Sequence, residues 1–247
     1  MKKLQVNLRN FLAWTLFIGL GFGFYYLLVY LKNGPRNQGV SQFLRQGFEN
    51  NEALSKDLPT QVVVEYPKSA VAKKVKVNGM YGLKSGVDTT SYRMLVIHPE
   101  RRDTMGFTMA QIEAMPKTEV IFDFKCIEGW NQITWWGGAV FSTFINQYYP
   151  DLLDDKGKLK YAYVGLMTPD QKYYVGIDAE SMMHPKTLLC YEMKNQPLPL
   201  KQGYPVRLII PVKFGIKHLK RIGYLYFSQT KPKDYWAEHG YDYDSGH

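Results

Sequence analysis

The stretch Thr118-Glu119-Val120-Ile121-Phe122-Asp123-Phe124-Lys125-Cys126-Ile127 decides the fold of this 247-residue chain. Val120, Phe122, Phe124 and Cys126 recur with a period of two, which predicts a strand with one buried face. Cys126 then lies inward at the end of a buried strand. Because a buried lone cysteine is usually a small hydrophobic residue, the pattern alone leaves a core role, a functional thiol or a disulfide with Cys190 open.

Short runs with the same β-rich character occur on both sides of this strand. They predict further strands at Gln61–Tyr66, Val71–Val77, Tyr92–Ile97, Tyr161–Met167, Leu188–Met193, Val206–Val212 and Ile222–Phe227. Helices are expected at Thr108–Met115 and at about Ala139–Tyr148. Together these elements predict one α+β domain dominated by strands over residues 61–247.

The N-terminal part of the chain has a different pattern. Asn10–Leu31 contains no charged residue, and about 20 apolar residues suffice to cross a bilayer, whereas the apolar region of a secretory signal has about 7 to 15. Residues 1–32 are therefore predicted to be a retained membrane anchor. Residues 33–60, which contain Pro35, Pro59 and one amphipathic helix around Gln42–Leu54, are predicted to be a stalk.

Composition excludes several classes of protein. Two cysteines are too few for a disulfide-rich scaffold or an iron–sulfur cluster with four thiolates, and a mean hydropathy of -0.30 excludes a polytopic membrane protein. The five histidines form no zinc or haem motif, and the motifs of serine hydrolases, P-loop proteins and dinucleotide-binding proteins are absent from the sequence. The net charge of +9 is compatible with a nucleic-acid partner, but no binding module accompanies it, so none is expected.

A second concentration of functional residue types lies in Pro205–Arg221. A hydrophobic strand that begins near Arg207 runs into a turn that contains Gly215, His218 and the cations Lys213, Lys217, Lys220 and Arg221. Glycines in a turn allow the backbone to approach an anion, and Lys and Arg side chains neutralise it. The alternatives are a solvated basic loop and a patch that binds anionic lipid.

Three blocks of the sequence resemble the molybdopterin-binding oxidoreductases of the sulfite oxidase fold. They are Lys125–Trp130 with Trp136-Gly137 downstream, Ser181–Leu189, and Gly203–Lys220, within a match from about Val75 to Tyr243. The resemblance implies that fold, a molybdenum–molybdopterin cofactor and two-electron oxygen-atom transfer on an oxidised sulfur substrate. The cofactor supplies the difficult chemistry, and the protein binds and orients it.

The resemblance also implies a set of site residues. Cys126 takes the position of the thiolate ligand to molybdenum, a soft ligand suited to this metal, and Glu128 is expected near the metal as a positioning or proton-handling group, with a structural ion pair as the alternative. Arg207 is expected to hold the pterin phosphate, because its fixed fork of donors matches a phosphate. The full set of expected cofactor contacts is Asn78, Tyr81, Gly82, Thr168, Gln202, Arg207, His218, Leu219 and Lys220.

Three functional readings stay open. Sulfoxide reduction leads, because Ile-Glu-Gly follows Cys126 where sulfite-binding relatives have an arginine-bearing sequence; oxidation of sulfite is the second reading. Gln202, His184 and Gly82 depart from the family pattern, and these departures motivate the third reading, a non-catalytic scaffold. The substrate is expected to be a small sulfur oxide or an oxidised protein.

The partners and location follow from the same resemblance. The chain contains no haem motif, so electrons are expected to come through a membrane-embedded haem or quinone subunit. The expected location is the inner cell membrane, with one span and a periplasmic catalytic domain. Asn7–Leu12 resembles a twin-arginine export signal but has one arginine, and a cytoplasmic domain is the alternative.

Overall fold

The computed structural model describes residues 2–37, 39–55, 62–83, 86, 88–101 and 103–247. Its Cα atoms divide into two compact units, Met1–Lys56 and Asp57–His247. The predicted boundaries at residues 32 and 60 remain predictions, and residues 56–60, which include Pro59, lie outside the described residues.

The first unit consists of two helices and a short hairpin. Helix α1 (Lys2–Asn33) contains the predicted apolar run, and strands β1 (Arg36–Asn37) and β2 (Val40–Ser41) pair in antiparallel register before helix α2 (Gln42–Ser55). The part of α1 from Asn7 to Asn33 is long and apolar enough to cross a membrane. The helix expected around Gln42–Leu54 is confirmed as α2.

The second unit contains ten strands and four short α-helices among the residues that the structure describes. In chain order they are β3 (Met94–Ile97), β4 (Thr104–Phe107), α3 (Met109–Glu113), β5 (Lys117–Lys125), β6 (Asn131–Val140), α4 (Phe141–Tyr148), β7 (Tyr163–Met167), β8 (Tyr174–Asp178), α5 (Ala179–Met183), β9 (Leu188–Met193), β10 (Gln196–Pro197), β11 (Arg207–Ile209), β12 (Tyr224–Ser228) and α6 (Tyr235–Glu238).

The ten strands form two mixed or antiparallel sheets of five strands each. One has the order β10-β9-β6-β5 with β11 also paired to β9, and the other has the order β4-β3-β12-β7-β8. Among these pairs only β12 with β3 is parallel. The predicted α+β class with a majority of strands is confirmed.

Most predicted elements of the second unit are confirmed. The strands expected near Tyr92–Ile97, Thr118–Ile127, Tyr161–Met167, Leu188–Met193, Val206–Val212 and Ile222–Phe227 are β3, β5, β7, β9, β11 and β12, and the two expected helices are α3 and α4. Helix α3 begins with a capping box in which Thr108 accepts from the Gln111 amide, an arrangement that satisfies a free N–H group of the first turn.

Two predicted strands are wrong. Residues 62–66 and 71–77 form no strand, the second segment bends at residues 71, 73 and 74, and Gln61 lies outside the described residues. The second segment forms no strand because a side chain takes the place of a strand partner. The side-chain amide of Gln132 donates to the Lys74 carbonyl at 3.1 Å and accepts from the backbone amide of Lys76 at 2.8 Å. The segment thus lies along β6 without joining the sheet, and this places residues 75–81 beside the end of β5.

The buried side chains form two clusters. The larger one fills the space around α4 and the β4-β3-β12-β7-β8 sheet. In it, Phe107 packs edge-to-face on Phe144, with 4.8 Å between the ring centroids. The smaller one includes Phe122, Trp136 and Cys190 from the first sheet. The second cluster supports the strand end at which Cys126 lies.

Candidate functional site

The hairpin between β5 and β6 carries Cys126. The two strands pair as far as Lys125 opposite Asn131, so residues 126–130 form the turn. The Cys126 amide donates to the Trp130 carbonyl at 2.8 Å, and Gly129 has φ +85°, a left-handed conformation that favours glycine. Cys126 is 6% exposed, so the hairpin holds a nearly buried thiol in a defined place.

A cavity of about 300 Å³ lies beside this turn. Eight of the residues expected at the site line it: Asn78, Tyr81, Cys126, Glu128, Gln202, Arg207, His218 and Lys220. They come from the segment before β3, the β5–β6 turn, and the segment around β11. The fold therefore brings together residues that are far apart in sequence around one concave surface.

Asn78 connects Cys126 to Glu128. Its Nδ2 lies 3.7 Å from the Cys126 Sγ and donates to the Glu128 Oε2 at 3.1 Å, while the Trp130 Nε1 donates to the same oxygen at 3.0 Å. The hydrogen bond from Trp130, followed by that from Asn78 and by the charge of Lys76, lowers the pKa of Glu128. Glu128 is thus a carboxylate at neutral pH, two residues after the thiol of Cys126.

Glu128 makes no ion pair within 4 Å in the described part of the chain. Its partners are the neutral donors Asn78 and Trp130. The alternative of a structural ion pair is therefore not what this carboxylate does. Its geometry suits a group that orients Asn78 and presents negative charge to the cavity.

Arg207 is a buried cation in the cavity wall. It is 2% exposed, donates through Nη1 to the backbone and side-chain oxygens of Gln202 at 3.0 and 3.1 Å, and donates through Nη2 to the His218 carbonyl at 3.1 Å. Its Nε has no hydrogen-bond partner, and its guanidinium lies 4.8 Å from the Trp136 ring centroid. Burial lowers the pKa of Arg207 to about 10, so the group stays charged at neutral pH.

No carboxylate pairs with Arg207 among the residues that the structure describes. A buried charge without a counter-charge is costly. An anionic ligand in the cavity would provide the missing charge and an acceptor for Nε. Arg207 therefore has the charge and the geometry to bind an anionic group.

Lys220 links two loops of the cavity wall. Its Nζ donates to the carbonyls of Asn78 at 2.6 Å, Gly79 at 2.9 Å and Lys201 at 3.2 Å. Burial and then the charge of Arg207 lower the pKa of Lys220 to about 7. Lys220 thus fastens the loop that carries Asn78, and it adds to the positive potential beside Arg207.

His218 lines the cavity as a neutral group. Its Nε2 lies 3.0 Å from the Lys213 carbonyl and its Nδ1 lies 3.4 Å from the Ile210 amide, and its ring is stacked or tilted against Phe122 and Phe124. Burial and then the charge of Arg207 lower the pKa of His218 to about 3. Both ring nitrogens are engaged by backbone, so His218 shapes the wall and presents its carbonyl to Arg207.

Three expected cofactor contacts lie behind the cavity wall. Thr168 is fully buried, and its Oγ1 lies 2.7 Å from the Asp170 carboxylate and 3.2 Å from the Tyr173 amide. Gly82 has φ +71°, and a Cβ there would lie 2.3 Å from the Thr168 Cγ2. Leu219 is fully buried in the larger core cluster. These residues position the loops of the cavity in this structure, and their contact with a cofactor stays a prediction.

Several aromatic and charged residues complete the wall without having been predicted. They are Lys76, Trp130, Trp136, Tyr173, Trp236 and Tyr241. Trp130 and Trp136 belong to a block already noted for its resemblance, but Trp236 and Tyr241 follow β12 in a segment with no recognisable motif. Their role becomes visible only because α6 folds back against Tyr81, whose ring centroid lies 5.9 Å from that of Trp236.

The other cysteine and the departing histidine lie elsewhere. Cys190 is fully buried in the smaller core cluster, and burial raises its pKa to about 12. Both cysteines are free, so the alternative of a Cys126–Cys190 disulfide is wrong. His184 is half-buried and accepts from the Lys186 amide; it is not part of the cavity wall.

The fold and the cavity together define a class of protein. A thiol at a strand end, a carboxylate beside it and a buried cation lacking a counter-charge surround a space that suits a small anionic ligand. A family model for the oxidoreductase molybdopterin binding domain matches residues 81–236. The chain belongs to this family, and it is a molybdopterin-binding oxidoreductase of the sulfite oxidase fold.

Individual relatives agree with this assignment. A relative from Azospira oryzae with the provisional name protein-methionine-sulfoxide reductase subunit YedZ1 is 33% identical over 190 residues, which cover 76% of this chain and 69% of the relative. The protein-methionine-sulfoxide reductase catalytic subunit MsrP of Campylobacter jejuni is 27% identical over 197 residues, which cover 76% of this chain and 64% of that protein. MsrP of Xanthomonas axonopodis is 29% identical over 139 residues, covering 51% of this chain and 42% of that protein.

One solved structure also resembles the chain. The sulfane dehydrogenase SoxCD from Paracoccus pantotrophus has a TM-score of 0.49 and 14% sequence identity, over 60% of this chain and 40% of that one. The chain spans less than two thirds of the length of the two MsrP proteins.

The residues of the cavity fit a molybdopterin. The unpartnered Nε of Arg207 needs an acceptor, and a pterin phosphate would provide both the acceptor and the negative charge. Within the described ranges no group of three or more His, Cys, Asp or Glu residues could hold a metal ion. A metal at Cys126 would therefore need the cofactor to supply its other ligands.

Proposed function

We propose that the chain is the catalytic subunit of a membrane-anchored molybdenum enzyme that reduces sulfoxides, with methionine sulfoxide in proteins as the substrate. In the overall reaction the S–O bond breaks, the sulfur is reduced to a thioether, and the oxygen leaves as water after two electrons and two protons are supplied. When bound, the molybdenum cofactor supplies the two-electron chemistry of the oxygen-atom transfer. The relatives that carry protein-methionine-sulfoxide reductase names support the substrate.

The chain's own residues would divide the work of holding the cofactor. Cys126 would supply the thiolate ligand from the rigid β5–β6 turn, and Arg207 would hold the phosphate. Gln202 would orient Arg207, to which it offers two oxygens. Lys220 would keep the Asn78 loop closed over the bound group through its three carbonyl contacts.

The Glu128 carboxylate is the observation that carries the choice of substrate. It lies beside Asn78, which also contacts the Cys126 Sγ, and the lowered pKa of Glu128 keeps its charge at neutral pH. The negative charge of Glu128 opposes the approach of an anion such as sulfite to Cys126, against the attraction of Arg207 and Lys220 in the same wall, and it leaves a neutral sulfoxide unaffected. Glu128 can accept a hydrogen bond there, and because its pKa is lowered it carries no proton to donate at neutral pH.

The test is a comparison of sulfoxide and sulfite with an artificial electron carrier. The full chain in detergent, loaded with cofactor, should turn over methionine sulfoxide and show no oxidation of sulfite. Glu128→Gln keeps an oxygen that can accept from Trp130 and Asn78 but removes the charge. We expect it to bind sulfite as an inhibitor about twofold to fivefold more tightly, the range of an exposed charge–charge interaction, with the KM for the sulfoxide unchanged. Turnover of sulfite alone by the unaltered protein would contradict the proposed function.

Helix α1 supports the anchored location. Its apolar part, Asn7–Asn33, satisfies the length and composition of a single span. A membrane-embedded haem or quinone subunit would deliver the electrons, because the sequence lacks a haem motif. We place the catalytic domain on the periplasmic side of the inner membrane; digestion of that domain by protease added to intact spheroplasts would support this, and its protection would place the domain in the cytoplasm.

A further inference from the structure

Five exposed apolar side chains lie on segments that line the cavity. Val77, Met80, Tyr81, Leu200 and Tyr241 are 43%, 41%, 51%, 61% and 38% exposed. Single exposed apolar residues are normal on a protein surface, but a group around one opening marks a site of interaction. These five residues are called the collar below.

The segments that carry the collar are joined to one another. The Lys220 Nζ binds the carbonyls of Asn78 and Gly79 on one loop and of Lys201 on another. These bonds join the loop that bears Val77 and Met80 to the segment that bears Leu200. On the other side the Tyr81 ring lies 5.9 Å from that of Trp236, which lies 5.1 Å from that of Tyr241.

The same loops carry positive charge. Lys73, Lys74, Lys76 and Lys201 are exposed on the two segments that bear Val77, Met80 and Leu200. In the part of the cavity wall that the structure describes, Glu128 is the single carboxylate. The two segments that bear Val77, Met80 and Leu200 are therefore apolar and basic together.

We infer that the collar is a docking surface for an extended, acidic segment of polypeptide that presents an oxidised methionine to the cavity; this inference rests on the proposed function. A free amino acid or a small sulfoxide would enter the cavity and leave the collar uncovered. An extended segment covers apolar residues on both sides of an opening while its central side chain points inward. The lysines favour acidic flanks, because complementary charge increases affinity and association rate.

Peptides test the charge preference directly. Three fluorescently labelled peptides of equal length would carry a central methionine sulfoxide flanked by Glu, Gln or Lys residues. Binding to the full chain in a neutral detergent would be measured by fluorescence anisotropy, and turnover by the KM of each peptide. We expect the Glu peptide to bind about tenfold more tightly than the Lys peptide at low salt, from a few exposed charge pairs of up to about 1 kcal/mol each. The difference should shrink at high salt.

Variants test the position of the surface. Met80→Ser and Leu200→Ser should weaken binding of all three peptides about threefold to tenfold by removing buried apolar area, while turnover of dimethyl sulfoxide stays unchanged. Lys201→Glu should reduce or reverse the preference for the Glu peptide. The matched controls are Met105→Ser, at a residue 45% exposed on β4, and Lys156→Glu, on the exposed loop after Pro150–Leu152; neither residue lines the cavity, and both variants should behave like the unaltered chain.

Each other outcome has a separate meaning. Equal binding of the three peptides, or weakening by the controls as strong as by the collar variants, overturns the docking surface. Loss of binding to vesicles of anionic lipid in the collar variants, with peptide binding unchanged, would assign the collar to a membrane surface instead. Absence of turnover on every sulfoxide, with the charge preference in binding intact, would contradict the proposed function and leave the docking surface standing.

Discussion

Arg207 and Lys217 are buried cations on the same segment, but they are neutralised differently. Lys217 is fully buried, its Nζ lies 2.6 Å from the Asp234 carboxylate, and it donates to the Gly176 carbonyl at 3.0 Å. Arg207 donates to neutral oxygens and leaves its Nε without a partner. A buried cation with a buried counter-charge has a structural role. A buried cation that lacks one can be neutralised by an anionic ligand.

The two cysteines show the same contrast. Cys190 is enclosed by the core, and burial raises its pKa to about 12, which disfavours the thiolate. Cys126 lies on a turn in the cavity wall, within 3.7 Å of the Asn78 amide nitrogen. Burial does not distinguish the two cysteines, because both are buried. They differ in their surroundings: Cys190 faces the core, and Cys126 faces the cavity.

Replacement of the cysteines should have the largest effect of the variants considered. The loss of bound metal should follow replacement of only one of them. Cys126→Ser should reduce bound molybdenum from about one per chain to near zero, because the soft thiolate is the protein's ligand in the proposed site. Cys190→Ala should keep the metal and lose about 1 kcal/mol of unfolding free energy, as a typical core substitution does. The measurements are metal analysis by mass spectrometry and denaturant unfolding. A full metal complement in Cys126→Ser would remove the contrast between the thiols.

Breaking the paired cation should produce the largest loss of stability. Lys217→Met leaves the buried Asp234 unpaired, and Asp234→Leu leaves Lys217 unpaired; each should cost about 3–5 kcal/mol. Asp234 also accepts from the Ala237 amide at the start of α6, so its replacement should in addition loosen the helix that brings Trp236 to the cavity. Urea unfolding of the full chain would give both values.

The double variant Lys217→Met/Asp234→Leu is the control for this pair. It removes both charges at once, so its loss should be much smaller than the sum of the single losses. Additive losses would show that the two residues act separately, and the comparison with Arg207 would lose its basis.

The sequence predicted the strands well where apolar residues cluster without an interrupting glycine and poorly where glycine was needed. Leu188–Met193 was predicted with the bounds that β9 has. Strand β6 was missed because Gly137 and Gly138 interrupt its pattern, although the structure requires a glycine there: a Cβ on Gly138 would lie 2.3 Å from the Leu189 carbonyl oxygen. The close approach of β6 and β9 depends on tertiary packing, which a local sequence pattern does not predict.

The sequence predicted those site residues whose side chains have a distinctive reactivity or charge. Cys126, Glu128 and Arg207 were identified through residue type and family resemblance, and the structure places all three around one cavity. Trp236 and Tyr241 were not predicted, because aromatic residues after the last strand are compatible with any core or surface role. Only the folding of α6 against Tyr81 gives them a place in the wall.

Replacement of the unpaired cation should separate folding from cofactor binding. Arg207→Met should cost the cofactor-free protein less stability than Lys217→Met does, because it removes a buried charge that has no counter-charge. In the same variant, cofactor retention should fall about tenfold or more, the value of one lost charged hydrogen bond of about 1.5–3 kcal/mol. Pterin released on denaturation reports the retention. Equal losses of stability in the two variants, with retention unchanged, would make Arg207 a structural residue.

Lys220 is intermediate between the paired Lys217 and the unpaired Arg207. Its replacement should have the smallest effect on stability, and this effect should depend on pH. It has three carbonyl partners and no carboxylate, and its pKa in the folded chain is lowered from 10.5 to about 7. Between these two values the unfolded chain binds more protons at Lys220 than the folded chain does, so the contribution of this group to unfolding free energy should rise with pH from about 7 to about 10. Tyrosines also titrate near the upper limit, so the quantity to measure is the difference between the cofactor-free protein and its Lys220→Met variant across this range. An anionic ligand beside Arg207 and Lys220 favours the charged ammonium, so the difference should become less dependent on pH when the cofactor is bound. A difference that is independent of pH without cofactor would show that the ammonium is already neutralised, and Lys220 would then belong with Lys217 rather than with Arg207.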